Sequence, residues 1–241
     1  MNDFLLVLLI SLLPASGNII GGFLAESVRT PPWVIGAALH TAVGVAIAVI
    51  SVELMPRILD TTPGWLIATA FFCGAAFSVL LAYSFNEWVS TKPSQSGAWM
   101  AYIAIAADLL SDGLMVGAGS AVTRKLGILL GLSQVVANIP GGFAAIGNFR
   151  NRQMSRRKRF LILCAFVLPS TVGVCIGYLL LRDAEAYLKH AAIAFVVGIL
   201  LLATVEDMVP EADAPGASRW ISTLAFTLGF VFFVMLSTAM G

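Results

Sequence analysis

The sequence predicts an all-α polytopic membrane protein: eight transmembrane helices in a 3+2+3 arrangement with an inverted repeat, forming one domain over residues 1–241. Three observations carry this. First, 59% of the residues are hydrophobic and 11% are charged, less than half the charged share usual in soluble domains, and the mean hydropathy is +0.93. So much apolar surface needs lipid as its solvent. Second, apolar runs of about 20 residues, the length that crosses a bilayer, recur along the whole chain. Third, the connections between them are short, and none is long enough for a soluble domain.

The first run, "MNDFLLVLLISLL", lacks a positively charged leading segment, so 3–28 reads as a span and not as a cleaved signal. The second span, 33–56, ends in "VELMP". The third, 64–86, is followed by the polar loop "NEWVSTKPSQSG". The fourth, 98–120, holds "ADLLSDGLMVG", and the fifth, 125–148, holds "VANIPGGFA". The sixth, 160–182, contains "LPSTVGVCIGYLL". The seventh, 186–208, runs into "VEDMVPEAD", and the eighth covers 218–240.

Lys and Arg collect in short cytoplasmic loops. The loop after the fifth span, "RNRQMSRRKR", carries Arg150, Arg152, Arg156, Arg157, Lys158 and Arg159. With that side inside, Arg29, Lys92 and Arg219 fall there too. Arg57, Arg124, Lys125, Arg182 and Lys189 fall outside, and both termini are external. The basic loop reads as a topology anchor, with contact to anionic lipid as a sharper alternative. Cys73, Cys164 and Cys175 lie in apolar runs without metal-ligand spacing and read as core packing.

The second and seventh spans end alike. Glu53 matches Glu206, Met55 matches Met208, and Pro56 and Pro210 follow. With eight spans these ends lie on opposite sides of the membrane, the mark of an inverted repeat in which spans one to three mirror six to eight. The fourth and fifth spans then form a central pair. "ADLLSDGLMVGAG" aligns with "VANIPGGFAAIGN", and each carries a Gly or Pro interruption at matching depth, which predicts paired broken helices at a transport site.

Asp108 and Asp112 are the deepest carboxylates. Spaced i and i+4, they share a helix face with Ser111 nearby. A charge inside a span is costly and functional by default. No Lys or Arg lies mid-span, so the two acids call for a metal ion or shared protons. From the fifth span, Asn138 can add an amide oxygen, Gln134 lies one turn before it, and Pro140 frees a carbonyl near Val136. Asn138 could equally cap a broken helix. An oxygen-only set of Asp, Asp and Asn suits Mg²⁺, Mn²⁺ or Fe²⁺, and zinc also accepts carboxylates. Glu53, Glu206, Asp207 and Glu211 sit near span ends as entrance or exit ligands or as solvated ends. His40 and His190 have no second ligand at metal spacing, and Asn18 reads as a helix-packing hydrogen bond.

These residues resemble the ZIP (Zrt/Irt-like) divalent metal transporters, nearest to the short bacterial zinc-uptake branch. The resemblance rests on the eight spans, "VELMP", "VEDMVPEA" and above all "VANIPGGFA", which is similar to the family's His-Asn-x-Pro-Glu-Gly motif. It implies a bacterial inner-membrane location, external termini and a binuclear metal centre on spans four and five, with a further Glu from span six. Several positions depart from that pattern. Asp108 stands for His, Leu109 for Asn, Ser111 for Pro and Asp112 for Glu in the fourth span. In the fifth, Ala137 stands for His and Gly141 for Glu, and in the sixth Ser170 stands for the bridging Glu. Asp108, Asp112 and Asn138 keep ligand chemistry, so the resemblance implies at most one midplane metal.

Two readings follow: transport of a divalent cation (Zn, Mn, Fe or Mg) through a reduced site, or a non-transporting ZIP-like protein with a regulatory or partner-binding role. An intramembrane aspartyl hydrolase is a distant third, since its dyad would join two elements. The chain is expected to be no enzyme, to meet a metal ion and the lipid bilayer, and to bind no nucleic acid. Assembly as a homodimer stays open.

Overall fold

The structure, a computed structural model, describes residues 3–28, 31–90, 97–214, 216 and 218–240. Among them there is no β-strand. Eight helical rods follow one another: α1 (Phe4–Ser27), α2 (Pro32–Leu59), α3 (Gly64–Ser90), α4 (Gly97–Val122), α5 (Arg124–Asn151), α6 (Arg156–Leu181), α7 (Ala186–Asp213) and α8 (Arg219–Ala239). Their bounds lie within a few residues of the sequence expectation. Among the described residues, seven are long and apolar enough to cross a membrane, and α3 contributes a shorter apolar stretch, Gly64–Leu80. The outer surface carries large apolar side chains, Phe72, Leu80, Leu168, Leu180, Leu228 and Met235 among them. That surface suits lipid and is consistent with an integral membrane protein. Cys73 and Cys164 are exposed and Cys175 is half-buried, so two of the three expected core cysteines face outward. Arg29 and Lys92, placed inside by charge, lie outside the described residues.

Four helix pairs dominate the packing: α1 on α5, α4 on α6, α3 on α7 and α2 on α8. Contact of α4 with α5 joins the first two pairs, and contact of α2 with the end of α7 joins the others. Glycine makes each pairing tight. A Cβ on Gly21 would strike the Ile139 carbonyl on α5, and one on Gly173 would strike the Leu110 carbonyl on α4. Gly142 sits on the Asn18 backbone, and Gly113 on that of Ser170. Gly44 meets Phe226 and Gly229 meets Thr41 between α2 and α8, while Gly198 meets Phe71 and Gly74 meets Phe195 between α7 and α3. Without hydrophobic drive between helices in lipid, such close backbone approach holds them.

The expected helix breaks in the central pair are not there. α4 and α5 run continuously, and Pro140 sits inside α5. One lost backbone bond within a 28-residue helix packed on its neighbours leaves the helix intact. The irregular turns lie instead in α2 and α7. Val49–Leu54 and Thr204–Met208 are π-helical, with Met55 N–H donating to Ile50 and Val209 N–H to Thr204. Each wide turn precedes a proline, Pro56 or Pro210, whose missing N–H would orphan a carbonyl in a regular helix. These turns match at a register one residue away from the sequence alignment. Ile50 falls on Thr204 and Pro56 on Pro210, so Glu53 falls on Asp207 and not on Glu206, and Arg57 falls on Glu211.

Local chemistry fixes the connections. Thr123 alone separates α4 from α5, and its hydroxyl accepts from Leu126 N–H at 3.1 Å, capping α5. α5 ends in a left-handed residue, Gln153, with φ 59°. Met154 N–H returns to Phe149 and Gln153 N–H to Arg150, the paired bonds of a Schellman cap. Two arginines of the basic loop turn inward. Arg150 donates to the Ala25 carbonyl at 2.7 Å, and Arg159 holds Glu26 through two bonds of 2.5 and 2.9 Å. Arg156, Arg157 and Lys158 remain exposed.

Candidate functional site

α4 and α5 run side by side, joined by the single residue Thr123, so Asp112 and Asn138 face one another although 26 residues apart. Asn138 Nδ2 donates to Asp112 Oδ2 at 2.8 Å and to the Pro14 carbonyl of α1 at 3.1 Å. Asp112 is 8% exposed and Asn138 7%. The reach to Pro14 depends on Gly17, where a Cβ would crowd Asn138 and the Val135 carbonyl.

These groups open on a cavity of about 540 Å³ between the α1–α4–α5–α6 group and α2, α3 and α7. Its wall is mainly apolar, with Val45, Val49, Phe195, Val196 and Ile199 among the lining. Four carboxylates interrupt that wall: Asp108, Asp112, Asp207 and Glu211. Ser111, Ser133, Gln134, Asn138 and Asn18 add neutral polar groups, and no Lys, Arg or His among the described residues lines the cavity. Asp207 and Glu211 lie close enough for their charge to act on Asp108. Gln134 is 5% exposed and its N–H reaches the Met115 sulfur at 3.9 Å, a weak acceptor.

The structure therefore brings Asp108, Ser111, Asp112, Gln134, Asn138, Asp207 and Glu211 to one cavity and leaves Glu53 and Glu206 out of it. Glu53 is buried and occupied. Arg57 Nη2 donates to it at 2.7 Å from one turn on, and the Ser237 hydroxyl of α8 donates to its other oxygen. A carboxylate held this way has little left for an arriving ion. Glu206 is exposed outside the cavity lining. Asn138 also differs from expectation, because it turns its N–H end toward Asp112 and its oxygen away.

The histidines are engaged elsewhere. His40 lies 3.2 Å from Asp213 and bonds the Gly36 carbonyl, while His190 meets Thr61 and Thr62. Among the described residues, no three His, Cys, Asp or Glu side chains converge on one point that could hold a metal ion. A cation here would therefore rest on one or two carboxylates supported by neutral oxygens. Asn18, a packing residue by sequence, reaches the cavity wall as well. Its signal was the small-residue run Gly17, Gly21, Gly22, which lets α5 pack closely on this face of α1. Compared with known proteins, the chain matches no protein-family model and no curated protein.

Proposed function

We propose that this protein carries a divalent metal cation across a membrane through the cavity between its helix groups. The observation that carries the reading is the charge of the wall: four carboxylates and, among the described residues, no basic group, in a mainly apolar lining. Such a wall attracts cations and repels anions, and uncompensated intramembrane acids are costly unless a cation or proton visits them. Asp108 and Asp112 are the binding carboxylates at mid-depth. Asp207 and Glu211 line the route, and Ser111, Gln134 and Asn138 supply neutral polar atoms.

The same proposal includes eight spans, with α1–α3 and α6–α8 as inverted repeats around α4–α5. Its support is the correspondence of contacts. α1 on α5 exchanges with α6 on α4, and α2 on α8 with α7 on α3, down to single glycines. The wide turns before Pro56 and Pro210 exchange likewise. On this reading α4, α5 and their partners α1 and α6 move against α2, α3, α7 and α8 to open the cavity to either side. A ZIP-like transporter of a bacterial inner membrane, with both termini outside, fits this plan and the motifs "VANIPGGFA" and "VEDMVPEA".

Reconstituted into liposomes, the protein is expected to take up Zn²⁺, Mn²⁺, Fe²⁺ or Mg²⁺, and Asp112→Ala to reduce uptake to the level of empty liposomes. Uptake unchanged by that substitution would remove the site from the reading. The second reading, a non-transporting protein of the same build, is favoured by the lack of three converging metal-ligating side chains. It predicts no uptake of any of the four ions by the native chain.

A further inference from the structure

We infer that the Asn138 side-chain amide stands in for the cation at Asp112, and that a cation enters by turning this amide over, which makes the Pro14 carbonyl a ligand. The inference rests on the transport reading and specifies how its site is gated.

The geometry is that of an occupied cation position. Asn138 Nδ2 lies 2.8 Å from a carboxylate oxygen of Asp112 and 3.1 Å from the carbonyl oxygen of Pro14. The Pro14 carbonyl can only accept, so the NH₂ end must face it, and its two hydrogens serve one oxygen each. Both side chains are more than nine-tenths buried, and among the described residues no basic group lines the cavity. The amide hydrogens are thus the nearest positive partial charge that the described residues offer to Asp112.

The same atoms form a ligand set once the amide is reversed. The Cβ–Cγ torsion of Asn is a broad, roughly two-fold rotor. Half a turn withdraws the NH₂ and presents Oδ1 beside Asp112 Oδ2 and the Pro14 oxygen. Three oxygens from α4, α5 and α1 then face one point. Hard cations take oxygen ligands at about 2.0–2.6 Å, so oxygens lying about a hydrogen-bond length from one another can share one ion with little movement. Gly17 leaves α1 and α5 close enough for this. Loading then ties three helices through one ion, and unloading returns the amide to its hydrogen bonds. The empty site never presents a bare buried carboxylate, and the occupied one gains two neutral ligands.

The full-length protein in detergent tests this with Mg²⁺ and Zn²⁺, both diamagnetic. With ¹⁵N-labelled asparagine, the side-chain amide signal lost in Asn138→Asp identifies Asn138. Adding cation to the native chain is expected to shift that signal and to speed exchange of its protons with solvent. Asn138→Asp, in which two carboxylates face the Pro14 carbonyl, is expected to melt lower than the native chain without divalent cation. It should recover on adding the cation and bind it about tenfold more tightly, because no amide has to be displaced. A cation that raises the native melting temperature while leaving the Asn138 signal unmoved would overturn the amide exchange and leave the transport reading standing. So would an Asn138→Asp chain as stable as the native one without cation. Absence of any melting shift or uptake with either ion would overturn both.

Discussion

The wide turns of α2 and α7 share a backbone and differ in charge. In α2, Glu53 and Arg57 form an ion pair one turn apart, capped by Ser237, and the acid is 6% exposed. In α7, the matching places hold Asp207 and Glu211, two acids open to the cavity. The protein neutralises the first acid itself, so that end is fixed structure. On the transport proposal, a visiting cation neutralises the second pair. Where the countercharge resides, in the chain or outside it, separates a structural carboxylate from a working one.

The strongest way to break this comparison is to give α7 the pattern of α2. Glu211→Arg sets a guanidinium one turn from Asp207 and inside the cavity. Metal uptake in liposomes is expected to fall to background while the fold persists; uptake at the native rate would mean that the α7 acids are bystanders. The reverse substitution acts on stability. Arg57→Met leaves Glu53 buried without its base. Breaking a fully buried pair costs about 3–5 kcal/mol, and because Arg57 is 29% exposed the expected loss is about 2–3 kcal/mol in chemical unfolding. Adding Glu53→Gln to it should restore most of that loss.

Packing should not distinguish the two turns. Gly44→Ala in α2 and Gly198→Ala in α7 each drive a methyl group into a backbone carbonyl of the facing helix. Both are expected to lose about 1–3 kcal/mol, the range for overpacking, and to lose it alike. A large difference in their melting temperatures would show that the turns are matched in sequence alone. The smallest effect lies far from both. Gln153 occupies a left-handed position that glycine adopts freely, so Gln153→Gly should gain about 0.5–1 kcal/mol.

Helix positions were legible because apolar length is a coarse signal that side-chain detail does not disturb. The likeness of "VELMP" and "VEDMVP" was legible too, but not the register in which their wide turns correspond. The Glu letters invited Glu53 onto Glu206, whereas the wide turns set Pro56 on Pro210 and so Glu53 on Asp207. The Glu53–Arg57 pair was within reach of the i, i+4 rule. Ser237 was not, being 184 residues away with nothing local to announce it. Asp108 and Asp112 stood out as acids in lipid, and both reach the cavity. The orientation of Asn138 was beyond sequence, because only the acceptors around an amide decide which end faces them. Pro140 misled in the other direction: a proline weakens a helix locally, and neighbouring helices decide whether it breaks.

The spacing of the partners of Glu53 bears on how the chain enters a bilayer. Arg57 is four residues on and emerges in the same helix, so α2 can partition into lipid with its acid already neutralised. Ser237 lies 184 residues on and joins only after α3 to α7 have been synthesised. Asp112 has no basic residue one turn away and meets Asn138 only when α5 folds back beside α4. During biogenesis α4 must therefore wait for its successor, and the one-residue connection at Thr123 keeps that wait short by delivering the two helices as a hairpin.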